Sequence, residues 1–82
     1  MQTIPHGTMP TIHLQAIGKH RACRADEAQV GGHVVYNYGA RYEIVEVRPV
    51  RNWVILVVRS PEGKVYESKK KPGTLIGYIP PK

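Results

Sequence analysis

Eighty-two residues, 41% of them hydrophobic, suit one domain with a small core, against a prior of roughly 100 to 200 residues per domain. Twelve Lys and Arg against six Asp and Glu give a formal charge of +6, which turns attention to polyanions or acidic surfaces as partners. That length excludes large multi-part active sites and any architecture built on long crossover helices.

Cys23 is the single cysteine and forms no internal bridge, whereas a secreted domain this small usually carries several. Residues 1–10 lack the positive start and apolar run of a signal peptide, and no stretch approaches the roughly 18 apolar residues of a membrane helix. The expectation is a cytoplasmic protein with no membrane partner.

In chain order, residues 1–10 read as a flexible arm, and residues 11–80 as a single small β-barrel domain. Residues 11–17 alternate, with Ile12, Leu14 and Ala16 on one side, which predicts a strand. Lys19, His20, Arg21 and Arg24 then form a basic connector. Asp26-Glu27-Ala28-Gln29 has helical propensity enough for one turn, ended by Gly31-Gly32.

From His33 the pattern sharpens. Val34, Tyr36 and Tyr38 alternate with His33, Val35 and Asn37, and Gly39-Ala40 turns the chain into residues 41–50. Within that run Tyr42 and Ile44 share one parity while Val45 and Val47 share the other, so a β-bulge is expected between them. Arg51-Asn52 is a two-residue turn. Residues 53–59 are apolar at both parities, as in a central strand or one covered on both faces. Pro61-Glu62-Gly63 and Pro72-Gly73 mark two more turns, bounding strands over residues 64–70 and 74–79, and Pro80-Pro81 ends the ladder. The fold class implied is all-β: a closed or nearly closed antiparallel barrel of five to six short strands with one helical turn.

Val30-Gly31-Gly32-His33-Val34-Val35, followed by Tyr38-Gly39 and Tyr42-Glu43-Ile44-Val45, resembles the opening of SH3-like barrels, including the KOW-type modules of ribosomal and transcription-elongation proteins. The later stretch from Trp53 to Tyr66, turning at Pro61-Glu62-Gly63-Lys64, is similar to small archaeal chromatin proteins that lay a basic, aromatic-bearing sheet on DNA. It also looks like barrels found among phage and mobile-element genes. These resemblances imply an SH3-like fold and a binding role.

Arg48, Arg51, Arg59, Lys64, Lys69 and Lys71 are the candidate phosphate contacts, with Trp53 and Tyr66 as candidate stacking groups. Cations neutralise phosphates and release counterions, while aromatic rings stack on bases. Arginine adds a planar fork that pairs with phosphate oxygens in a bidentate way. The competing reading makes the aromatics core and the charges a solvating surface. In a strand, Lys69 and Lys71 share a face that Lys70 does not.

Other chemistries lack a signature. His20-x-x-Cys23 with His33 falls short of the two ligand pairs of a structural zinc site, so no metal and no cofactor are expected. No Gly-x-Ser-x-Gly motif or phosphate-cradling loop occurs, and Glu43 and Glu46, flanked by Arg41 and Arg48, read as ion-pair partners and not as an acid-base couple, so the chain is expected not to be an enzyme. Two functions remain. One is a basic barrel that binds DNA or RNA with little sequence preference. The other is a protein-interaction module or phage-type inhibitor, docking on an acidic host protein and able to form homo-oligomers through its uncharged arm.

Overall fold

A computed structural model describes residues 10–82, so most of the expected arm, residues 1–9, lies outside the described residues. Seven strands form one antiparallel sheet: β1 (Thr11–Leu14), β2 (Gly18–Arg24), β3 (His33–Val35), β4 (Arg41–Val50), β5 (Trp53–Arg59), β6 (Val65–Lys70) and β7 (Leu75–Ile79). Their spatial order is β1-β2-β7-β3-β4-β5-β6. The sheet is all-β as expected but has one strand more than the upper expectation, and it is not closed: β1 and β6 are its edges.

Three local expectations change. The basic connector is itself strand β2, because Lys19, His20 and Arg21 pair with β1 while Ala22, Cys23 and Arg24 pair with β7. The strand expected over residues 11–17 stops at Leu14, and the one over residues 33–38 stops at Val35, where the backbone turns to form the Tyr36–Ala40 hydrogen bond. The expected helical turn is a 3-10 turn over Ala25–Glu27, with no α-helix among the described residues.

The expected bulge is present. Ile44 pairs with Val58 and Glu46 with Val57, leaving Val45 as the extra residue. Before it, Ile44 points into the core; after it, Val47 packs against the same core. Leaving Val45 out of the ladder thus keeps both halves of a long strand facing the interior.

Connectivity forces the sheet to curl. Four inter-strand steps of about 4.8 Å would separate β6 from β7 by about 19 Å in a flat sheet, yet the two are joined by a tight turn in which Thr74 N–H donates to the Lys71 carbonyl at 3.0 Å. Curling brings Lys70 at the end of β6 to one cleft with Leu14, Leu75 and Ile76. Inside the curl sits the core of Cys23, Ala28, Val34, Ile44, Val54, Leu56, Val58, Ile76 and Tyr78, with Ile44, Leu56 and Val58 wholly buried. The Tyr78 hydroxyl accepts the Gln29 N–H, which ties the segment after the 3-10 turn to this core.

On the opposite side of β7, Leu14 and Val35 are buried over Gly77. A side chain at Gly77 would stand 2.6 Å from the Val35 carbonyl and 3.3 Å from Leu14 Cδ1, so the glycine is what lets β1 lie there. The Ala16 N–H donating to the Asn37 carbonyl pins the β1–β2 turn to the turn after β3.

Candidate nucleic-acid interface

Strand alternation sorts the side chains of β4, β5 and β6 into an inward and an outward set. Val54, Leu56 and Val58 of β5 point inward, so Trp53, Ile55, Val57 and Arg59 point outward. Cross-strand pairing gives the rows of the outward face. Val50 lies beside Trp53; Arg48, Ile55 and Lys69 form the next row; then Glu46, Val57 and Glu67; then Glu43, Arg59 and Val65. The bulge at Val45 is what puts Glu43 and Glu46 on this one face despite their odd spacing.

Charge is distributed unevenly along these rows. Arg59 donates to Glu43, and Arg48 donates through Nε and Nη2 to both Glu46 oxygens at 3.0 and 3.2 Å, with its Nη1 3.8 Å from Glu67. These arginines hold the Glu43 and Glu46 carboxyls below the ordinary carboxylate range, chiefly through those hydrogen bonds. At the β4–β5 hairpin end the cations are different. Arg51, Lys69 and Lys71 have no carboxylate partner among the described residues.

Trp53 sits among them. Its ring is half-buried, and the Lys69 Nζ stands 4.5 Å from the ring centroid in a cation-π contact. Arg51 occupies the hairpin tip with φ +50°, a left-handed conformation that glycine or asparagine adopts at less cost. A long cation held at a position suited to a small residue is an outlier that points toward function.

The eight candidate residues therefore separate. Arg48, Arg51, Trp53 and Lys69 come together at the hairpin end, and Lys71 follows just past the end of β6. Arg59 is on the same face but six residues along β5 from Trp53, roughly 20 Å away. Lys64 is in the β5–β6 turn at that far end, where its N–H is held by the Ser60 hydroxyl. Tyr66 pairs with Val58 and so lies on the inward parity, in a row of tyrosines: its ring is 6.0 Å from Tyr42, which is 4.9 Å from Tyr36.

Composition did not bring out Val50 and Ile55, which supply apolar surface beside Trp53. The two-parity apolar run over Trp53–Arg59 was the signal for Ile55, since it also describes an outward face lined by hydrophobic side chains. Val57 on that face is only 7% exposed.

Among the described residues no three His, Cys, Asp or Glu side chains gather as a metal set. The Cys23 thiol, pushed up to about 11 by burial and by Glu27 and Asp26, is a protonated core group at neutral pH. Among the described residues no helix is long and apolar enough to cross a membrane. No protein-family model, curated protein or solved structure matches the chain.

Proposed function

We propose that the protein is a non-enzymatic nucleic-acid-binding module with an SH3-like curled sheet, which holds DNA or RNA against the hairpin end of the outward β4–β5–β6 face with little sequence preference. The strand order supports the barrel type, because β3 to β6 form a meander and β7 returns to pair with β3. One observation carries the function: a half-buried tryptophan on an uncovered sheet face, flanked by Arg51, Lys69 and Lys71, none of them paired to a carboxylate among the described residues.

In this reading Arg51, Lys69 and Lys71 meet phosphates, and Trp53, with Val50 and Ile55 beside it, receives a base or the edge of a groove. Arg48 remains tied to Glu46 and Glu67 and orients the surface. Recognition through charge and stacking reads no base edge, so sequence preference is weak. The test is fluorescence anisotropy of labelled single- and double-stranded oligonucleotides across a salt series. Affinity falls linearly with salt on logarithmic axes, and Arg51→Ala, Lys69→Ala and Lys71→Ala each flatten the slope by about 0.7 to 0.9. Absence of binding at low salt removes the proposal.

A second reading rests on the free edge of β6, where Val65 and Tyr66 are 58% and 47% exposed. An acidic protein could add a strand there, with Lys69 and Lys71 as its charge partners. Substitution separates the two: Trp53→Ala weakens nucleic-acid binding and leaves a strand-addition partner on β6 in place.

A further inference from the structure

At the opposite end of the same sheet lies an open groove of about 570 Å³, bounded by the start of β3, the start of β4, the β5–β6 turn and the end of β7. Its charged side chains are Arg41, Arg59, Lys82 and Glu43, and His33 lines it beside them. Pro61 and Ile79 give it apolar wall. Glu43 is the single carboxylate side chain of the lining, and Arg59 engages it through one oxygen. Arg41 is exposed and has no ion-pair partner among the described residues.

We propose that this groove binds a phosphoryl group carried on a ligand of nucleotide size. Two guanidinium groups against one carboxylate side chain leave the lining with a positive surplus, and their planar forks match phosphoryl oxygens in a way that a compact cation does not. Arginine forks pair with phosphoryl oxygens in a bidentate manner, and Glu43 fixes one fork in place while leaving its remaining N–H donors to the ligand. The volume falls within the roughly 300 to 1,000 Å³ of small-ligand sites and exceeds what a bare phosphate fills, so room remains for the attached group against Pro61 and Ile79. None of Arg51, Trp53, Lys69 or Lys71 lines this groove, so it stands independently of the hairpin-end face.

Isotope-labelled protein titrated with inorganic phosphate, pyrophosphate, adenosine monophosphate, a short oligonucleotide and acetate tests the assignment. Pyrophosphate and the nucleotide shift the backbone amides of His33, Arg41, Glu43, Arg59 and Gly63. Arg41→Ala weakens that binding about tenfold, as loss of a charge-assisted hydrogen bond does, and Glu43→Gln, which removes the opposing carboxylate, strengthens it several-fold. A residue with a merely structural role would not produce opposite signs in two surface variants that both keep the native spectrum. Lys69→Ala leaves groove binding unchanged whether or not the hairpin-end reading holds. If only the oligonucleotide shifts the groove amides, the phosphoryl group belongs to a nucleic-acid backbone; if the mononucleotide and pyrophosphate do, it belongs to a small ligand. Groove amides that none of the phosphoryl compounds moves, or that acetate moves equally, overturn the proposal, as does weakened binding in Glu43→Gln.

Discussion

The two faces of β5 carry apolar side chains at similar density and use them for different ends. Val54, Leu56 and Val58 face inward and are at most 3% exposed, sealed by the curl of the sheet. Trp53, Ile55 and Val57 face outward, with only the side chains of β4 and β6 to screen them. A second contrast runs along the outward face. At the far end Arg59 is matched to Glu43, and in the middle Arg48 is matched to Glu46 and Glu67, whereas Arg51, Lys69 and Lys71 at the hairpin end have no such partner among the described residues. A formal charge of +6 describes the whole chain, but the unmatched cations meet an anion with no carboxylate competing for them.

The largest effect expected from this contrast is on the inward side. Leu56→Ala costs about 2 to 5 kcal/mol of stability through lost burial and the cavity left behind, read from urea unfolding, and Trp53→Ala costs visibly less in the same measurement. Equal losses would mean that the outward face is packed as a core, and the distinction between the two faces would fail.

On the binding side, Trp53→Ala removes about 1 to 3 kcal/mol of affinity for single-stranded oligonucleotides, the usual worth of a base-aromatic stack. Tyr66→Ala, on the inward parity, leaves that affinity unchanged in the same anisotropy assay. A reversed order would move the interface to the tyrosine row.

A smaller change sharpens the meaning of the hairpin tip. Arg51→Gly relieves the left-handed backbone and stabilises the fold by about 0.5 to 1 kcal/mol, net of glycine's added chain entropy, while weakening oligonucleotide binding. Thermal unfolding and anisotropy thus move in opposite directions. If both stay still, the arginine at that position is incidental.

The smallest effect belongs to the matched pairs. Asp26, Glu43 and Glu46 have carboxyls held below their ordinary range by Arg24, Arg59 and Arg48. A carboxyl depressed in the folded state contributes stability that is present above its unfolded pKa, about 4, and is lost as pH falls through the folded value. Unfolding midpoints therefore stay level from neutral pH to about 5 and decline in more acid solution. Because all three carboxylates are exposed and screened, added salt shrinks the decline.

Much of the strand map was legible because its signals are local. Arg41–Val50 and Trp53–Arg59 show their limits in the sequence through Gly39-Ala40, Arg51-Asn52 and Ser60-Pro61, and the bulge shows as a change of parity at Val45. Strand β2 was not legible, since Lys19 and Arg21 look like a connector until β1 and β7 are seen to pair on either side. Pairing between residues distant in sequence decides that case, and no local pattern encodes it. The site divided in the same way. Alternation within a strand correctly puts Lys69 on a face that Lys70 does not share, but the distance of Arg59 and Lys64 from Trp53, and the capture of Arg48 by Glu67, depend on registers across three strands.

Val45 works within its strand as an inserted letter works in a message read two letters at a time. Were the ladder regular through it, every side chain from Glu46 to Val50 would exchange sides: Glu46, Arg48 and Val50 would turn into the core and Val47 out of it. Because the bulge sets Val45 outside the ladder, deleting this one residue would straighten β4 and leave Ile44 opposite Val58 and Glu46 opposite Val57. The chemistry displayed by the outward face depends on that residue being left without a partner in the ladder.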